Sequence, residues 1–458
     1  MNTLSELLDK SLDVAKIRLD FPILDRRASS GEPLVYFDNA ASTQRPVSVI
    51  EAMNDCYRNY YSNVHRGIHT LSEESTQAYE NARQSTCEFL NASSVSEIIF
   101  TAGTTAGINT VARSWGDANL NQDDVILLLI SEHHANIVPW HQLAARTGCR
   151  VEFVPIDDDF WISDEAVAEH LDRHRPKLFA FGAASNTLGS EYPVARWTAM
   201  AHQAGAMVLV DAAQAAPHWA IDVQAWDADF VVFSGHKVCG PTGIGVLYGK
   251  QSILESMPPF LGGGGMISLV TVDGFTTHEL PEKFEAGTPP IVEAIGLRAA
   301  LKYLQALGMD RIHEHEKQLG AKCDQGLRAI PGVRLIGPAA EFKGGINSFV
   351  IEGVHAHDVS QFLDSRGVAV RAGHHCTMPL HDAVGINASA RASCYLYNTD
   401  EEVDQFLQAV EDVRAKFAKS GRRRRPRRSQ KSLSDQSDAG KSDAGKSDAG
   451  RSETGRLI

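Results

Sequence analysis

Four short runs constrain this chain most: Ile98 to Thr101, Val125 to Ile130, Ala206 to Val210 and Asp229 to Phe233 are apolar almost throughout, and helical patterns separate them. Runs this short, without polar alternation, suit strands covered on both faces. Their alternation with helical segments predicts a layered α/β architecture with a mostly parallel sheet in the larger domain. At 458 residues the chain is too long for one core, and 43% hydrophobic residues suffice for two domains.

Ligands of open α/β sheets collect at the carboxyl ends of the strands, so the residues that follow each run are candidates for a site. After Phe233 come Ser234, Gly235, His236 and Lys237, and Gly240, Pro241 and Gly243 keep the backbone irregular. A lysine at the mouth of a sheet can form a Schiff base with an aldehyde cofactor. After Val210 comes Asp211, which taken alone reads equally as a helix cap. Pyridoxal 5'-phosphate needs an anion at its pyridinium nitrogen and a lysine on its aldehyde carbon, and Asp211 and Lys237 supply that pair.

The turn Ala102 to Gly107 leads from the first run into a helical pattern over Ile108 to Trp115. Free amides there attract an anion, and Thr104 and Thr105 add hydroxyls, so this is the expected phosphate site, with Ser234 and His236 as further donors. His133 follows Val125 to Ile130. It reads either as an exposed loop histidine or as a ring stacked on the cofactor, where it can also move protons.

Cys376 lies in a loop after the strand-like Val368 to Val370, beside Arg371, His374 and His375. Cationic neighbours favour a thiolate, which is the setting of a nucleophile. Cys87 and Cys149 stand in apolar or helical patterns and read as inert packing residues. His374, His375 and Cys376 lack an evident fourth ligand, so no metal is expected.

From about Leu19 to Phe417 the chain resembles the type II cysteine desulfurases of the Suf and Csd types. The resemblance rests on Tyr36 to Thr43, Tyr61 to His69, Glu132 to Trp140, Ser234 to Lys237 with Gly240 to Gly245, Phe284 to Pro289, and Arg371 to Cys376. It implies the aspartate-aminotransferase fold, type I of the PLP-dependent transferases, with a large mixed-sheet domain and a smaller α/β domain. It further implies that Lys237 holds the cofactor, Asp211 pairs with its ring nitrogen, Gln214 reaches its phenolic oxygen, and Thr104, Thr105, Ser234 and His236 bind its phosphate. Thr288 matches a residue that reaches the phosphate of a neighbouring subunit, which implies a homodimer. Asn186 and Arg391 match positions that grip the substrate carboxylate, a task suited to the planar fork of arginine.

The implied reaction removes sulfur from L-cysteine, leaving L-alanine and a persulfide on Cys376, with L-selenocysteine as an alternative substrate. A SufE or SufU type of acceptor then takes the sulfur toward iron–sulfur cluster assembly. Ala106, Cys239, Pro290 and the Ala183–Ala184 pair depart from the family pattern, and none removes a group that the chemistry requires. A selenocysteine lyase or β-eliminating lyase would use the same lysine and aspartate, whereas an isopenicillin-epimerase-like enzyme would need no Cys376. A catalytically idle scaffold would not need Asp211, Lys237 and Cys376 together.

The expected organisation is an N-terminal arm over 1–34, a large cofactor domain over 35–294, a small domain with the cysteine loop over 295–418, and a tail over 419–458. From Ser420 the tail carries eleven basic and five acidic side chains against an overall net charge of −13, and it repeats Lys-Ser-Asp-Ala-Gly. Such a segment cannot bury a core and is expected to be disordered. Its Arg422 to Arg428 cluster could meet nucleic acid or the acidic body, but a solvated tail without a nucleic-acid partner is the expectation. No run approaches a membrane span, the first residues lack a signal-peptide layout, and seven unpaired cysteines fit a reducing cytoplasm.

Overall fold

The computed structural model describes residues 12–421, so the expected tail beyond Gly421 and the first eleven residues lie outside the described part. The apolar runs all become strands of one sheet. In chain order these are β1 (Ile98–Thr101), β2 (Val125–Leu129), β3 (Arg150–Val154), β4 (Leu178–Gly182), β5 (Met207–Asp211), β6 (Phe230–Ser234) and β7 (Gly245–Gly249). Across the sheet the order is β1-β7-β6-β5-β4-β2-β3. All pairings are parallel except those of β7, which runs against both β6 and β1.

Side chains along these strands alternate between two cores. Leu127, Leu129, Phe179, Phe181, Val208, Val210, Val231 and Phe233 pack on one face. Ile126, Leu128, Leu178, Ala180, Leu209, Phe230 and Val232 pack on the other. The pleat sends successive residues to opposite faces, so a sheet covered on both sides needs apolar residues at every position. Each fully buried Val, Leu, Ile or Phe contributes about 1.5–3 kcal/mol of transfer free energy, which holds the sheet between its two cores.

A second sheet is antiparallel, with strands β8 (Val333–Ile336), β9 (Ile346–Ile351), β10 (Arg371–Gly373) and β11 (Ser389–Ser393) in the order β8-β9-β11-β10. Its core includes Leu319, Cys323, Phe349, Val359, Leu363, Phe406 and Val410, together with Val35 and Phe37 from the start of the chain. A long helix runs over Ile291–Leu307. Asp38 and Asn39 follow Phe37, and the Ala40 N–H and Asn39 side chain bond Ser393 at 2.9 and 2.7 Å, holding Asp38 to Ala41 against the end of β11. No helix among the described residues is long and apolar enough to cross a membrane.

Candidate active site

The carboxyl ends of β1, β2, β4, β5 and β6 open onto one cavity of about 260 Å³. After β1, Gly103 takes φ +141° and starts a helix at Thr104, so Thr104 and Thr105 face the cavity at a helix N-terminus. After β2 come Glu132 and His133, after β4 Asn186, at the end of β5 Asp211 with Gln214 beyond it, and after β6 Ser234, His236 and Lys237. Arg391 of β11 and Cys376 of the loop after β10 close the cavity from the second sheet. Thr288 is not among the lining residues. It borders a separate cavity of about 980 Å³ with His65, Arg66, His278 and Pro289.

Burial and charge set the chemistry of these groups. Burial holds the Lys237 amine down to about 8, while Asp211 acts in the opposite direction. Burial raises Asp211, and Lys237 lowers it. Both effects follow from moving an ion out of water beside an opposite charge. Burial, reinforced by Lys237, holds His133 down to about 3 and His236 to about 4, so both rings are neutral at ordinary pH. His133 Nδ1 accepts the Ala135 N–H at 3.1 Å, which leaves its proton on Nε2.

The surroundings of Cys376 differ in one respect from the expectation of a cationic cluster. His375 is buried, its Nε2 lies 3.1 Å from the Ser389 carbonyl, and burial depresses it to about 2, so it is a neutral donor to that carbonyl. Arg371 is half exposed and bound to Asp38. Cys376 is exposed and the other six cysteines are buried. Cys239, two residues beyond Lys237, sits with Sγ 3.7 Å from the Tyr395 hydroxyl, and burial pushes its thiol up to about 12. It is no rival for Cys376 as a nucleophile near neutrality.

Lining residues that the sequence did not single out include Ser131, Glu132 and Tyr192. Glu132 accepts from Gly182 N at 2.8 Å and from Asn136 Nδ2 at 2.7 Å, and burial raises it to about 8. It ties the end of β2 to the end of β4, where Gly182 lies in register with Asp211. Its place directly before His133 at a strand end was the available signal.

The polar groups present fit a phosphorylated hydroxypyridine. Thr104 N and Oγ1 lie 2.9 and 2.8 Å from Ser234 Oγ, which gathers a backbone amide and two hydroxyls at a helix start. Gln214 Nε2 donates to the Ala40 carbonyl at 2.7 Å and leaves its buried Oε1 without a partner, an acceptor suited to a ring hydroxyl. Among the described residues no group of three or more His, Cys, Asp or Glu is arranged to hold a metal ion.

Known proteins resemble this chain in sequence and fold. The model of the aminotransferase class-V family matches residues 35–406. A probable cysteine desulfurase of Synechocystis is 50% identical over 87% of this chain and 94% of its own length. A cysteine desulfurase of Haloferax volcanii is 45% identical over 89% of this chain and 98% of its own. The crystal structure of the cysteine desulfurase CsdA from Escherichia coli superposes with a TM-score of 0.80 at 38% identity, covering 88% of this chain and 98% of that one. With the family model spanning both sheets and the whole cavity, and these relatives aligned over nearly their full length, the chain belongs to the class-V aminotransferase family of fold type I.

Proposed function

We propose that this protein is a cysteine desulfurase that takes sulfur from L-cysteine, releases L-alanine and carries the sulfur as a persulfide on Cys376. The observation that carries the reading is the convergence of Lys237, Asp211, Arg391 and the exposed thiol of Cys376 on one cavity. A lysine and acid alone would suit many reactions of the fold. The thiol facing them from the second sheet is what sulfur transfer requires.

Pyridoxal 5'-phosphate, held by Lys237, Asp211, Gln214, Thr104, Thr105, Ser234 and His236, supplies an electron sink for carbanion formation at the substrate Cα. The residues of the chain do the rest. Arg391, with Asn186 beside it, receives the substrate carboxylate and orients the Cα–H bond. Lys237, whose buried amine is held down to about 8, is neutral in a usable fraction at working pH and takes the Cα proton. His133, neutral and with Nε2 protonated, lines the cavity, where it would lie against the cofactor and pass protons. Cys376 Sγ forms an S–S bond to the substrate sulfur as the Cβ–S bond breaks, and the carbon fragment leaves after protonation as alanine.

A homodimer in which Thr288 serves the neighbouring site, a SufE or SufU type of acceptor, a role in iron–sulfur cluster assembly, a cytoplasmic location and division into large and small domains at 294 and 295 belong to the same proposal. The location of Thr288 away from the Lys237 cavity of its own chain supports the first of these. The deciding experiment measures alanine and sulfide formed from L-cysteine, with and without acceptor proteins. Stoichiometric alanine, with sulfur passing to the acceptor, is the expected result. Production of pyruvate and ammonia in place of alanine would assign a β-eliminating lyase instead.

A further inference from the structure

Arg371 of β10 and Arg391 of β11 stand directly opposite each other across an antiparallel pair. Like charges in that relation repel. One carboxylate answers both. Asp38 accepts from Arg371 Nε and Nη2 at 3.2 Å, and from Arg391 Nη2 at 3.3 Å. Both arginines line the cavity and Asp38 does not. Arg391 is buried, with Nη1 on the Asn186 carbonyl at 2.9 Å and Nε without a partner, whereas Arg371 turns two of its donors toward Asp38.

We propose that Asp38 is a positioning residue that sets substrate specificity: by neutralising one of two opposed arginines, it leaves that end of the cavity a single positive charge, matched to an amino acid with one carboxylate. The substrate part of this rests on the desulfurase reading, in which L-cysteine brings one carboxylate and an uncharged thiol. A compound with a second anionic group finds Nε and Nη2 of Arg371 already engaged and its charge answered by Asp38. Removing the Asp38 charge frees Nε and Nη2 of Arg371 for that second group. The half-exposed position of Arg371 limits the effect to roughly tenfold in affinity, the scale of a single screened charge contact.

The test uses cofactor-loaded protein and unreactive anions, so that it reads binding rather than turnover. Propionate and succinate are titrated by calorimetry into the wild type, Asp38→Asn, Arg371→Gln and the double variant Asp38→Asn/Arg371→Gln, with the visible cofactor band checked in each. Asp38→Asn is expected to raise the preference for succinate over propionate about tenfold, and the double variant to return it to the wild-type value. Arg371→Gln alone, which leaves Asp38 to neutralise Arg391, is expected to weaken propionate binding by a similar factor and remains informative if Asp38→Asn does not fold. An unchanged preference in Asp38→Asn, a gain that persists in the double variant, or unchanged propionate binding in Arg371→Gln overturns the proposal. Failure of the wild type to form alanine from L-cysteine would sink the desulfurase reading and leave the anion preferences to decide the role of Asp38.

Discussion

The backbone N–H of His134 donates to the carbonyl of Cys376 at 2.7 Å, so the loop that presents the exposed thiol is tied to the strand end that presents His133. Three further bonds hold the same loop: Asn186 Nδ2 to the His375 carbonyl at 2.7 Å, Met378 N to His134 Nε2 at 3.0 Å, and the Thr187 and Thr377 hydroxyls at 3.0 Å. His375 and Cys376 both take left-handed φ values, +51° and +59°. Non-glycine residues keep such a backbone when surrounding bonds over-determine it. The position of the thiol is therefore a property of the backbone, independent of its own side-chain contacts.

It follows that Cys376→Ala keeps the loop and the cofactor site. Its visible absorption and cofactor content should match the wild type, while the sulfur adduct on the protein, read by intact mass after incubation with L-cysteine, should vanish. Full acceptor-dependent sulfur transfer by this variant would move the nucleophile elsewhere.

Lys237 is the expected point of cofactor attachment. Borohydride reduction of the yellow holoenzyme should fix the label on the peptide containing Lys237, and Lys237→Ala should lose turnover to background. Label recovered on another lysine would refute the assignment.

The depressed Lys237 amine gives a pH dependence with a definite sign. Attachment of an aldehyde needs the neutral amine, which is present above the pKa of the group. Burial brings that value down to about 8 from the usual 10.5. The rate of cofactor reattachment to stripped protein should thus rise with pH through a midpoint near 8, well below that of an exposed lysine. Asp211 acts to raise the Lys237 value, so Asp211→Asn should move the midpoint lower. For stability, the unfolded lysine stays protonated between about 8 and 10.5 while the folded one does not, so the penalty this group places on folding diminishes as pH rises through that window. A reattachment midpoint near 10.5 would show that the amine is solvated.

The features legible in sequence are those written locally. Strands β1, β2, β5 and β6 were visible because burial on both faces demands continuous apolar runs, and their carboxyl ends then pointed to Thr104, His133, Asp211 and Lys237. Strand β7 escaped notice because it begins and ends in glycine and its antiparallel course carries no local mark. The neutrality of His375 was illegible for a different reason. It depends on burial against Ser389 across a fold, whereas adjacency to Arg371 in sequence suggested a cation. The sharing of Asp38 between Arg371 and Arg391 likewise joins residues more than 330 positions apart, a pairing that no spacing rule reaches.

The closest backbone approach at the site makes a last prediction. A Cβ added to Gly245 would lie 2.5 Å from Gly103 Cα and 2.6 Å from the Phe233 carbonyl oxygen. Both are main-chain atoms, so no side-chain rotation relieves the clash, and Gly103 is the residue that starts the helix bearing Thr104 and Thr105. Gly245→Ala should force β7 away from β1 and β6, costing about 3 kcal/mol, the upper end of ordinary overpacking. It should also weaken cofactor retention, because the same displacement moves the amide and hydroxyl of Thr104 from Ser234. Gly274→Ala is the control: its added Cβ meets nothing within 4 Å, and it should alter stability by no more than about 0.5 kcal/mol. Denaturant midpoints and cofactor dissociation rates of the two variants check both statements together, and a Gly245→Ala protein as stable as the control would show that the strands β1, β6 and β7 can separate without cost to the site.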